Sequence, residues 1–174
     1  MSPMNPDEGF GGRAVSPPES SKAERIWHYY IDSEGHLWHD GTEFYDPATL
    51  KMFMKGMADL PSEEAKNAEK WRVFCMGEEC RIAAEDVPYV IQKVTVTPKS
   101  VRLTFPGGYE EDLDPATLFV GDRNVLYCRI RGGAFTARFN RTSYLNLAER
   151  IAFDPKTRGF YLTVDNHQYP IKGV

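Results

Sequence analysis

The sequence predicts an α+β fold, mainly antiparallel sheet with two amphipathic helices, on three observations. Short strand-like runs alternate with Gly, Pro and Asp-Asn turn signals from residue 26 onward. Two segments carry apolar residues at helical spacing: Leu50, Phe53, Met54 and Met57, then Tyr144, Leu147, Ala148 and Ile151. The order hairpin, helix, hairpin occurs twice, with about 95 residues between the two helices, which reads as two similar ββαββ subdomains.

Taken in order, residues 1–24 are rich in Pro, Ser and Gly and offer little to bury, so a disordered N-terminal tail is expected there. An N-terminal subdomain over 25–97 opens with "WHYYID" and "HLWHDG" as a hairpin around Ser33 to Gly35. Asp46 then caps a helix whose first residue is Pro47. Residues 59–70 are polar and read as a surface loop or a loose helix capped by Ser62, and "WRVFC" with "CRIAA" forms a second hairpin. A C-terminal subdomain over 98–174 begins among three or four strands punctuated by Thr97-Pro98 and Pro106-Gly107-Gly108. Asp-Pro-Ala-Thr, at 46–49, recurs at 114–117 before a segment too short for a helix, so the second copy reads as a turn. "NVLYCRIR" and "AFTARF" then flank Gly132-Gly133, a helix follows, and "GFYLTV" with "HQYPI" closes the chain around Asp165-Asn166.

Composition narrows the function. With 41% apolar and 13% aromatic residues the 174-residue chain can fill a core, while a net charge of −4 argues against bulk nucleic-acid binding. No apolar run is long enough to cross a bilayer and no signal or transit pattern opens the chain, so a cytoplasmic protein is expected, with no nucleic-acid or membrane partner.

"YYIDSEGHLWHDG", "CMGEEC", "AEDVPYV", "GGYEEDLDPATL" and "NVLYCRIR" resemble the bacterial and mitochondrial family called domain of unknown function 4505, from about Ile26 to Ile171. A weaker likeness links the chain to domain of unknown function 1285, in the order of an "EDaPFv"-like element, a strand pair and a "vR.G..Ar..R"-like segment. The second resemblance implies an α+β architecture with repeated subdomains. Neither implies a catalytic residue.

Placing Gly77-Glu78 in the turn sets Cys75 opposite Cys80, on the face of Val73 and Ile82, with Arg72, Phe74 and Arg81 on the other. Cys128 alternates with Leu126 and Ile130, so all three thiols are expected as inert core groups and no metal or cofactor is predicted. His36 and His39 point to opposite faces of their hairpin, and with His28 and His167 read as aromatic sheet surface rather than a converging base. Glu78-Glu79 and Glu110-Glu111-Asp112 read as solvated turns, because adjacent strand residues face opposite ways. Glu85 and Asp86 stand apart, preceding Pro88 at the entry to an apolar strand. No Gly-rich phosphate loop or nucleophile elbow is present.

The remaining signal is "CRIRGGAFTARFNR", with Arg129, Arg131, Arg138 and Arg141. A two-residue Gly132-Gly133 turn pairs Tyr127 with Arg138 and Arg129 with Thr136, and sends Arg129, Arg131, Arg138 and Tyr127 to one outer face. Neighbouring guanidiniums repel, so a carboxylate from Glu85, Asp86 or the Glu110 to Asp114 run, or a bound anion, is expected over them. The expected function is a non-enzymatic ligand-binding or protein-interaction module, regulatory in type, whose partner is a protein or a small anionic ligand. The alternative is an enzyme or sensor holding a small anionic ligand through this arginine cluster between the subdomains, with Glu85 and Asp86 beside it.

Overall fold

The computed structural model describes residues 25–173. The tail expected over 1–24 lies outside them. Asp46 accepts a hydrogen bond from the Thr49 amide and Pro47 takes the first helical position, so α1 runs Pro47–Gly56 as the local chemistry requires. It buries Phe53 and Met54, with Met57 just beyond its end, and Phe53 meets Tyr29 edge to face at 5.1 Å.

The sheet beneath α1 has six strands in the order β3-β2-β1-β6-β5-β4. They are β1 (Ile26–Ile31), β2 (Leu37–His39), β3 (Thr42–Phe44), β4 (Ala58–Asp59), β5 (Trp71–Cys75) and β6 (Glu78–Ala84). The β1–β2 loop is organised by Asp32, whose carboxylate accepts from the amides of Glu34 and His36 and from the Trp38 indole. β1 and β6 pair in parallel at the centre and the other neighbours are antiparallel.

A second sheet, β11-β12-β13-β7, again mixes directions, with β13 parallel to β7. Its strands are β7 (Tyr89–Ile91), β11 (Phe119–Val120), β12 (Leu126–Ile130) and β13 (Phe135–Phe139). Two three-stranded antiparallel sheets complete the fold: β8 (Lys93–Val96), β9 (Val101–Thr104) and β10 (Glu110–Asp112), then β14 (Ile151–Asp154), β15 (Gly159–Val164) and β16 (His167–Pro170). The second Asp-Pro-Ala-Thr forms a short 3-10 turn over Pro115–Thr117, capped by Asp114. The expected division between residues 97 and 98 falls in the turn joining β8 to β9, and one buried cluster runs from Ile31 and Phe53 through Tyr89 and Leu103 to Cys128 and Leu162.

Two expectations require correction. The second helix, α2 (Arg141–Ala148), ends before Ile151, which lies in β14 opposite Leu162. Its buried line is Ser143 and Leu147, one turn apart, while Tyr144 is 45% exposed. In the second hairpin Met76 and Gly77, both at positive φ, make the turn, so Cys75 faces Glu78 and Cys80 faces Val73. The predicted faces survive because the slip moves pairing by two residues. The Cys75–Cys80 opposition needed for a cross-strand disulfide does not form.

All three cysteines are free, Cys80 and Cys128 buried and Cys75 half-buried. Burial, before any neighbouring charge, pushes the Cys80 thiol up to about 11 and drives Cys128 in the same direction. A maleimide at neutral pH is therefore expected to leave Cys80 and Cys128 unmodified in the native protein and to label every thiol in denaturant, read by mass spectrometry. Fast native labelling of either would contradict this packing.

Candidate functional site

The β12–β13 register is the predicted one: Tyr127 pairs with Arg138, Cys128 with Ala137, Arg129 with Thr136 and Ile130 with Phe135. Alternation buries Leu126, Cys128, Ile130, Phe135, Ala137 and Phe139, and leaves Tyr127, Arg129, Thr136 and Arg138 on the outer face.

Arg131 departs from that face. The turn includes it as well as the two glycines, with φ of 51° at Arg131, 67° at Gly132 and 91° at Gly133. This left-handed backbone breaks the strand alternation and takes the guanidinium into the protein. Its Nη1 donates to the Met57 carbonyl at 2.5 Å and to the Tyr89 hydroxyl at 3.0 Å, and its carbon lies 4.9 Å from the Phe135 ring centre. Its amide donates to Glu111 at 2.9 Å. Tyr89 in turn donates to the Met54 carbonyl, and burial pushes its hydroxyl up to about 12. Arg131 is thus a structural tie between α1 and the hairpin.

Of the carboxylates expected over the arginines, Asp86 meets Arg138 and Tyr127. One oxygen, Oδ2, accepts from Tyr127 at 2.6 Å and from Arg138 Nη1 at 3.0 Å. Burial and then this carboxylate push the Tyr127 hydroxyl up to about 12. Glu85 beside it accepts from the Ser33 amide at 2.9 Å and so fastens the β1–β2 loop. The cleft here, about 210 Å³, is lined by Glu85, Asp86, Asp122, Arg123, Tyr127 and Arg138. Three carboxylates against two guanidiniums make it unfavourable for an anion.

Arg138 also forms the wall of a second space of about 230 Å³, a groove that it shares with Arg141, Asn124, Leu126, Tyr144 and Glu34. Here guanidiniums outnumber carboxylates. Arg138 spends Nη1 on Asp86 and its Nε is buried without a partner. Arg141 forms no ion pair among the described residues. It is the first residue of α2, behind the Asn140 cap that accepts from the Ser143 amide. Arg129 stands apart from both spaces, exposed, its amide donating to the Thr117 hydroxyl. The structure therefore brings Tyr127, Arg138, Asp86, Glu85 and Arg141 to adjoining spaces, and leaves Arg129 and Arg131 out.

Sequence reasoning missed Glu69. It lies in the polar 59–70 stretch, yet is 4% exposed, pairs with His28 Nδ1, and keeps Oε2 buried without a partner. No periodicity in that stretch marks it. Among the described residues no group of three His, Cys, Asp or Glu is gathered to hold a metal ion, and no helix is long and apolar enough to cross a membrane.

No protein-family model matches the chain, and no curated relative does. Two solved structures do. A DUF1285 family protein from Silicibacter pomeroyi DSS-3 superposes with a TM-score of 0.59 at 16% identity, covering 86% of this chain and 84% of that one. A second DUF1285 family protein, from Shewanella baltica OS155, gives 0.53 at 18% identity, covering 70% of this chain and 90% of its own. At these identities the likeness is one of fold, and the α+β architecture described above is shared with these two DUF1285 family proteins.

Proposed function

We propose that the protein is a non-enzymatic, cytoplasmic binding module that takes a small anionic ligand in the groove between Arg138 and Arg141. One observation carries the reading. Arg141 opens α2, where the helix dipole disfavours a cation by about 0.3–1 kcal/mol, and no carboxylate among the described residues pairs with it. Its position places a guanidinium beside Arg138 in a groove. Arginine's planar set of donors suits carboxylate and phosphate alike.

The three free thiols support the compartment. The motifs from Ile26 to Ile171 support membership of the domain of unknown function 4505 family, and the recurring order hairpin, helix, hairpin supports an internal duplication, although β1 pairs with β6 in the first segment and β13 with β7 in the second.

Thermal shift with phosphate and small carboxylates tests the binding. At 100 times its Kd an anion should stabilise the native state by about 2.7 kcal/mol, and Arg141→Gln should abolish that shift while leaving the unliganded melting temperature unchanged or slightly raised. An Arg141→Gln protein that keeps the full shift would overturn the assignment.

A further inference from the structure

The groove does not end at the arginines. Asn124, Leu126 and Tyr144 line it and also line an adjoining space of about 300 Å³. That second space is walled by Val120, Ala148, Ile151, Phe160 and Ile171, with no charged side chain. It sits where α2 gives way to β14 and faces the β15 strand, and it leaves Phe160 56% exposed and Tyr144 45% exposed. A cavity of this size lies at the lower end of the roughly 300–1,000 Å³ found for small-molecule sites. Its neighbour supplies the charged end.

We infer that the ligand is amphipathic, with one anionic head against Arg141 and Arg138 and an apolar body lying over Leu126, Tyr144, Ile151 and Phe160. This deepens the reading above and rests on it. Charge complementarity fixes the orientation: at the apolar end the head would meet no cationic side chain. The acidic cleft on the far side of Arg138 repels it from there as well. A carboxylate or a phosphate would serve as head, and the apolar part distinguishes this ligand from a free inorganic anion.

The test is a chain-length series, acetate to decanoate, with octyl phosphate against inorganic phosphate, followed by titration calorimetry on the whole chain. Each methylene that enters the apolar space should tighten binding about fourfold, the equivalent of about 0.8 kcal/mol, until the space is filled. Phe160→Gln should flatten that dependence, and because Phe160 is largely exposed the variant should fold; Arg141→Gln should weaken every member of the series equally. Non-specific adsorption of a long chain would respond to neither variant, and so would overturn the inference. Arg141-dependent binding of phosphate or acetate with no gain on lengthening would overturn the amphipathic ligand and leave anion binding standing. No binding by any member would remove both.

Discussion

Replacing Gly107 by Ala should lower the melting temperature by about 4–16 °C, whereas Gly108→Ala, one residue along, should cost only about 2–4 °C. Both glycines have positive φ, 73° and 76°, so both substitutions meet the same backbone penalty of roughly 1 kcal/mol. Their surroundings differ. A Cβ on Gly107 would sit 2.3 Å from the Lys51 amide nitrogen, 2.6 Å from the Pro47 carbonyl oxygen and 2.9 Å from the Leu50 carbonyl carbon, while one on Gly108 meets nothing within 4 Å. The atoms at Gly107 are helix backbone and cannot swing aside, so α1 itself must move away from the Pro106–Gly108 turn. Overpacking of this kind adds about 1–3 kcal/mol, and a domain of this size loses about 2–4 °C per kcal/mol. Equal melting temperatures for the two variants would show that the turn and α1 are not in the contact described.

That contact also shows where the sequence stops being legible. Pro106-Gly107-Gly108 announces a turn, and Asp46-Pro47 announces the start of α1, because both signals depend on backbone chemistry within a few residues. That the turn rests on the helix depends on how β8, β9 and β10 fold back, which no local pattern records. The same division runs through the site. Strand alternation and the Tyr127–Arg138 register were readable, since period two leaves only a choice of face, whereas charge alone offered Glu85, Asp86 and the Glu110 to Asp114 run equally as partners and did not select Asp86. The parallel pairings β1–β6 and β13–β7 were not readable, because nothing local distinguishes a parallel neighbour from an antiparallel one. Nor was the groove at Arg141, which exists only once Glu34 of the β1–β2 loop and Asn124 and Val125 before β12 are brought beside the end of β13 and α2. Arg131 failed for a sharper reason. Two consecutive glycines favour a two-residue turn, and nothing in the letters says that the arginine before them also adopts positive φ.

The consequence is that Arg129 and Arg131, two residues apart in the chain, should respond unequally to the same change. Arg131→Gln is expected to destabilise the protein by about 2–4 kcal/mol, since hydrogen bonds from a charged donor are worth about 1.5–3 kcal/mol and the acceptors left behind are shielded from water. In melting temperature this is roughly 4–16 °C. The acceptors are the Met57 carbonyl at the end of α1 and the buried Tyr89 hydroxyl, so the loss loosens the helix from the hairpin rather than one side chain from the surface. Arg129→Gln touches an exposed side chain with no ion pair among the described residues, and should stay within about 0.5 kcal/mol of wild type. Arg131→Lys should keep part of the stability, because an ammonium can donate to both oxygens but does not lie flat against Phe135. Arg131→Gly separates backbone from side chain: glycine relieves the cost of φ 51° and removes the guanidinium, so it should still melt well below wild type. If Arg131→Gly matched wild type, or if the two glutamine variants lost the same stability, Arg131 would be a turn residue with a solvated side chain and the tie to α1 would not exist.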